Sequence, residues 1–323
     1  MGQSAVSFFF VLSGFLITFL LLAERRKCGH IDVRSFYARR ALRIWPLYYL
    51  VTLWAFAFLP RLVDVGQPSG GALALFLLML PNVALVLYPP VAGAAQGWSI
   101  GVEEQFYLAW PLVVERFARN PLPVFALIVA LKALALYLFA ERPRAAALLF
   151  YCRFEDMAMG GMAGYAYFAG RVPRFLMGRP AKSTVVLAAL ALVPARELFL
   201  LHPLAEGAVY AALVLQVACS PDFWRRAEGR RLNYLGNVSY GVYMLHPTPL
   251  TLAAPALSAL ALPAYVLSLY AVTFGGTLAL AAFSYRYFES PFLRLKNRLA
   301  VVGSGGPAPP APGSDLRSGI PRE

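Results

Sequence analysis

The chain has 323 residues, 59% of them hydrophobic and 14% charged, with a mean hydropathy of +0.61. A soluble domain carries about 45–50% apolar and about 25% charged residues, so a single water-soluble core cannot hide this excess, and a polytopic membrane protein is implied. The net charge of +13 does not mark a nucleic-acid binder, because the basic residues sit in short loops between apolar runs, the pattern that orients membrane helices.

Runs of the roughly 20 apolar residues that a crossing needs fall at 4–22, 44–63, 98–115, 121–140, 153–170, 183–202, 203–220, 237–259 and 263–285. They predict an all-α polytopic membrane helix bundle of about nine transmembrane helices. A further run, 71–88, is interrupted by Pro81 and Asn82 and ends at Pro89 and Pro90. If it does not cross, the loops carry 23 Lys and Arg on one side against 5 on the other, which the positive-inside rule favours. It is therefore read as a re-entrant or interfacial segment on the outer side, since irregular backbone at membrane depth must be shielded by protein. The same count runs the first helix from outside to inside and leaves Met1 on the extracytoplasmic face. That orientation implies a helix preceding this sequence. Residues 1–299 form the expected membrane domain. Residues 300–323, dense in Pro, Gly and Ser from Gly303 onward, form an expected disordered cytoplasmic tail. Cys28, Cys152 and Cys219 are widely spaced without a CxxC, which excludes a disulfide framework and a recognisable metal site.

Ionisable groups at membrane depth are functional hypotheses by default, and four places qualify. In Phe36–Pro46, helical spacing places Arg40 and Arg43 on one face, with Arg39 and Arg43 four residues apart. They read as headgroup anchors or as a phosphate-binding fork. In Trp98–Tyr107, Ser99, Glu103 and Tyr107 recur every four residues and share a face. This is either a helix start with Ser99 as its cap and acids near the positive dipole end, or a carboxylate, hydroxyl and phenol that orient a substrate hydroxyl. Glu103 is the more informative of the two adjacent acids. In Leu235–Pro247, Ser239, Tyr243 and His246 fall on one stripe, with His246 near mid-membrane as a packing residue or a general base; His30 and His202 are weaker candidates. Finally, Lys132, Glu155, Asp156 and Glu206 are expected to pair between helices, and Arg286 with Glu289 to close the inner end of the last helix.

The segments FFFVLSGFLIT (8–18), FYARRALRIWPLYY (36–49), GWSIGVEEQFYLAWPL (97–112), LGNVSYGVYMLHP (235–247) and SYRYFESPF (284–292) resemble the ordered motifs of the acyltransferase 3 family. These are bacterial integral-membrane O-acyltransferases related to O-antigen and peptidoglycan acetylases. The resemblance implies a multi-pass protein of the bacterial inner membrane that takes an acyl group, acetyl foremost, from acyl-coenzyme A and passes it to a hydroxyl of a carbohydrate or lipid-linked glycan at or near the outer face. No permanently bound cofactor is implied; acyl-coenzyme A is the donor substrate. Arg40 and Arg43 carry the family's RxxR motif on the donor side. Trp98, Ser99 and Glu103 carry its Trp-Ser-Leu-x-x-Glu motif, with Ile100 in place of Leu and Tyr107 as the aromatic extension. Ser239, Tyr240, Tyr243 and His246 carry the late motif. On this basis Glu103, Tyr107 and His246 are the expected catalytic residues, and Arg40, Arg43, Trp98, Ser99, Ser239, Tyr240 and Tyr243 the expected substrate-binding ones. Family members normally begin with a further helix bearing an Arg and an essential His, which this sequence starts after, so either its start is placed late or it is a truncated remnant. A transporter or flippase of a glycan precursor or small anion is the alternative from another class.

Overall fold

A computed structural model describes residues 2–194, 201–220 and 229–299. The expected tail at 300–323 lies outside the described residues, as does Arg196 of the loop count. Among the described residues every regular element is helical, as the apolar runs predict. Among the described residues four helices are long and apolar enough to cross a membrane: Gly2–Cys28, Val33–Leu62, Leu122–Phe139 and Leu262–Lys296. Other predicted runs appear as Trp98–Arg116, Phe154–Phe168 and His202–Ala218. The 237–259 run, expected as one crossing, is two helices, Arg230–Leu245 and Pro247–Ala256. Pro247 and Pro249 cannot donate to the preceding turn, so the chain restarts there with proline in the first turn.

The chain divides into two compact units. The first takes its described residues from 2–33 and 109–220. Its centre is the packing of Gly2–Cys28 against Phe154–Phe168, where the backbones nearly touch. A Cβ at Gly160 would stand 2.0 Å from the carbonyl oxygen of Val11, and one at Gly14 2.0 Å from that of Met157. Gly164 completes a Gly-x-x-x-Gly spacing against Phe15, the arrangement that lets membrane helices approach through small residues. Trp110 donates to Thr18 Oγ1 at 2.9 Å and stacks on Phe125 at 4.5 Å between ring centroids.

Within this unit the scattered charges meet, as expected of interhelical pairs. Arg153, not singled out from the sequence, is the hub. Its Nη2 lies 2.9 Å from Asp156 Oδ2 and 3.5 Å from Glu206 Oε2, donates to Ser7 Oγ at 2.7 Å, and its Nε stands 3.3 Å from Glu155 Oε1. Lys132 pairs with Glu155 at 3.0 Å and donates to the carbonyls of Leu149 and Cys152. All five charged groups are buried, which satisfies the rule that charges away from water come paired.

The second unit takes its described residues from 34–108 and 229–299. Here the broken run 71–88 forms two short helices, Gly70–Leu77 and Pro81–Leu87, separated at Met79, whose φ is 59°. A non-glycine residue in the left-handed region is uncommon, and the break is held from both sides. Tyr48 and Tyr49 donate to the carbonyls of Phe76 and Leu77 at the helix end, where intrahelical donors run out; Phe76 O also accepts from Met79 N. Gln105 donates to Met79 O and to Asn82 Oδ1. Pro81 then seats against Gly101, where a Cβ would fall 2.6 Å from its ring. The broken segment thus braces the helix Trp98–Arg116 over its polar first half.

Candidate active site

All ten residues proposed from the sequence belong to the second unit, and the structure joins most of them into one polar chain. At one end, the guanidinium of Arg40 lies over the rings of Phe36 and Tyr107, at 5.6 and 5.3 Å from their centroids. Tyr107 donates to Glu103 Oε1 at 3.1 Å, one helical turn earlier. Glu103 and Tyr107 are both buried, so the shared face predicted for Trp98–Tyr107 points into the protein. Cation–π contact fixes the plane of the arginine without neutralising it, leaving its N–H donors for an anion.

Around Arg40 the positive charge accumulates. Arg39, Arg40 and Arg43 all bear electrostatically on Lys296, and Arg39 donates to Leu299 O at 2.9 Å. Arg40 acts electrostatically on Glu104, and Arg43 on Glu289. This gathering of three guanidinium groups and an ammonium suits a multiply charged anion such as a phosphate group.

Further along the same helix, Ser99 Oγ lies 2.7 Å from the Tyr243 hydroxyl. Tyr243 donates to Gln96 O at 2.9 Å, and Gln96 Nε2 reaches across to Met244 O at 2.7 Å. His246 places Nδ1 2.7 Å from Tyr243 O, and its ring is 6.0 Å from that of Tyr243. Tyr240 donates to Ile44 O at 2.8 Å, tying the late motif to the arginine helix; Glu103, Glu104 and Glu289 all act electrostatically on its phenol. Trp98 is half-buried at the start of its helix.

Two expectations come out differently. Ser239 does not join the group: it is exposed, and its hydroxyl donates to Gly236 O at 2.8 Å in its own helix, the local backbone bond that serine readily makes. Arg286 and Glu289 do not pair. Residues Ser284–Glu289 form a π-helical turn, whose wider winding carries positions three apart away from each other, and Glu289 accepts instead from Ser284 Oγ at 2.8 Å.

Sequence reasoning also missed three participants. Gln96 bridges the two motifs, and its buried Oε1 has no hydrogen-bond partner among the described residues. Glu104, passed over in favour of Glu103, accepts from Trp45 Nε1 at 2.8 Å while its buried Oε1 is likewise without a hydrogen bond. A buried polar atom left unsatisfied costs about 1–3 kcal/mol, and a catalytic or binding role is one of the explanations for such an atom. Lys296 lies in a stretch that reads only as a basic helix end. No spacing rule in the sequence links any of the three to the motifs they join.

Comparison with known proteins places these observations in a family. The acyltransferase domain family matches residues 1–284. Peptidoglycan O-acetyltransferase OatA of Listeria monocytogenes is 26% identical over 326 residues, covering 90% of this chain and 51% of the relative. YrhL of Bacillus subtilis is 25% identical, covering 90% of this chain and 50% of the relative. O-acetyltransferase OatA of Staphylococcus aureus is 33% identical over a shorter stretch, 35% of this chain and 20% of the relative. The chain thus spans about half the length of the first two relatives. No solved structure matches it.

Proposed function

The chain belongs to the acyltransferase domain family, and from that membership and the geometry of its polar chain we propose that it is a membrane O-acyltransferase that moves an acetyl group from acetyl-coenzyme A to a carbohydrate hydroxyl. Relatives named as peptidoglycan O-acetyltransferases support a cell-envelope glycan as the acceptor, and the long apolar helices support a membrane, the bacterial inner membrane in this reading, as the place of action.

The observation that carries the reading is the run Arg40, Tyr107, Glu103. It puts a cluster of cations at one end of a buried carboxylate–phenol pair. Arg40, Arg43 and Lys296 hold the donor's phosphates, and planar guanidinium groups suit bidentate phosphate contacts. The acceptor oxygen attacks the thioester carbonyl carbon; a C–O bond forms, the C–S bond breaks, and the hydroxyl proton ends on the departing thiolate. Glu103, held by Tyr107, and His246 are the groups placed to orient that hydroxyl and relay its proton. Ser99, Tyr243 and Gln96 line the acceptor end, where hydroxyl and amide groups match a sugar's own donors and acceptors, and Tyr240, bonded to Ile44 O, stands between that end and the arginines.

Binding of radiolabelled acetyl-coenzyme A to the purified chain in detergent, followed by transfer to peptidoglycan fragments, tests this. Arg40→Ala with Arg43→Ala is expected to lower donor affinity at least tenfold in a folded sample. Unchanged donor binding in that variant would remove the assignment.

A further inference from the structure

Away from this polar chain, the second unit carries a cleft of about 510 Å³ lined by Tyr234, Tyr285, Arg286, Tyr287 and Arg294, with Phe283 at its edge. From it we infer a binding site for the headgroup of an anionic phospholipid. The inference does not depend on the acyl-transfer reading, because no residue of the cleft serves in it.

Charge is the first support. Neither Arg286 nor Arg294 forms an ion pair among the described residues. The acid nearest to Arg286 in sequence is turned to Ser284. Arg286 rests over the Tyr287 ring at 5.4 Å, so its N–H donors stay available, and two guanidiniums over one open cleft repel each other unless an anion sits between them.

Position is the second. The helix Leu262–Phe283 exposes Leu267, Tyr270 and Phe274 at 71–74% and Phe283 at 63%, an apolar face suited to lipid tails. The cleft opens where that apolar face ends. Tyr234 and Tyr285 meet edge to face at 6.3 Å between centroids, and tyrosines at this level are characteristic of the bilayer interface. Beyond it, Ser290–Arg298 carries Arg294 and Arg298, and on the orientation read from loop charges this end faces the cytoplasm. A basic pocket beside a spanning helix on that side is the usual form of a headgroup site.

Shape is the third. The π-helical turn at Ser284–Glu289 redirects the chain between the two helices, and Tyr285 O, which takes the Ser290 backbone N–H, also accepts from Ser290 Oγ at 2.6 Å. The turn brings Tyr285, Arg286 and Tyr287 to the cleft together. Phosphate oxygens would take the guanidinium donors, phenol hydroxyls the glycerol oxygens, and the acyl chains would lie along Phe283 and Phe274.

The full chain, purified in a neutral detergent, can be offered phosphatidylglycerol or phosphatidylcholine at equal mole fraction and the retained lipid counted by native mass spectrometry. Phosphatidylglycerol is expected to be retained preferentially, and Arg286→Gln or Arg294→Gln each to reduce retention about fivefold. Both arginines are exposed, so folding should survive; Arg286→Lys, which keeps the charge, is expected to fall between. Adenosine 3′,5′-bisphosphate in a parallel arm separates a lipid headgroup from a soluble phosphate. Equal retention of the two lipids, unchanged retention in both glutamine variants, or displacement of the lipid by the bisphosphate would each overturn the assignment.

Discussion

Ser99 and Tyr243 are 144 residues apart in sequence, yet their hydroxyls lie 2.7 Å from each other. Because the phenol donates to Gln96 O, the serine proton points at the phenol oxygen, and the two motifs are locked in one orientation. Tyr243→Phe removes both bonds while leaving Ser99 a fallback acceptor in Gln96 O at 3.3 Å. A net hydrogen bond contributes about 0.5–1.5 kcal/mol, so acceptor KM should rise about two- to tenfold, with donor binding unchanged. Ser99→Ala should do less. Steady-state kinetics at saturating donor checks this, and an equal effect on donor affinity would contradict it.

The Glu103–Tyr107 bond at 3.1 Å makes a second, separable prediction. If the carboxylate relays the acceptor proton, Glu103→Gln should cut turnover about 10²–10⁴-fold with little change in donor affinity. Tyr107→Phe, which removes the phenol's bond to the carboxylate and weakens the cradle of Arg40, should cost less in turnover but also loosen the donor. A double variant no worse than Glu103→Gln alone would place the phenol as a positioning residue. Additive losses would mean that the two act independently.

Much of this arrangement can be read from spacing, and the remainder cannot for identifiable reasons. Ser99, Glu103 and Tyr107 share a helical face by arithmetic, and Glu103 with Tyr107 is buried as that face requires. Pro81 and Asn82 mark a break that the structure places at Met79, next to them. Ser239 shows the limit: the stripe predicts its direction, but a local bond to Gly236 O competes with any distant partner. Arg286 and Glu289 fail for another reason, since α-helical spacing does not apply inside a π-turn. Gln96 and Lys296 are found only through the fold: Gln96 sits in a short uncharged turn and Lys296 in a uniformly basic helix end, and neither setting carries a periodic signal.

The glycines that let Gly2–Cys28 meet Phe154–Phe168 give a stability prediction in the other unit. At Gly160 a side chain would collide with the Val11 carbonyl and the Phe15 amide, both backbone atoms that cannot rotate away. Gly160→Leu should therefore separate the helices rather than repack them, at a cost above the about 1–3 kcal/mol typical of overpacked cores. Gly161→Ala meets the edge of Trp110 and Thr18 Oγ1 instead and should be milder. Thermal unfolding in detergent, followed by size-exclusion chromatography, ranks the two. A wild-type melting curve for Gly160→Leu would mean that the close approach does not govern packing.

Arg153 offers the sharpest test of the buried charge cluster. It alone touches Glu155, Asp156, Glu206 and Ser7, so removing it leaves three buried carboxylates facing the single ammonium of Lys132, whose ion pair is with Glu155. Breaking a buried pair from one side costs about 3–5 kcal/mol, because the stranded charge keeps its desolvation penalty. Arg153→Met should thus lower the melting temperature markedly. Arg153→Lys should recover only part of the loss, since one ammonium cannot span the positions that a guanidinium fork reaches. The converse change separates charge from packing. In Arg153→Met combined with Glu206→Gln and Asp156→Asn, the carboxylates are neutralised in place, and much of the stability should return. If the triple variant melts no higher than Arg153→Met, the arginine acts through volume and not through charge.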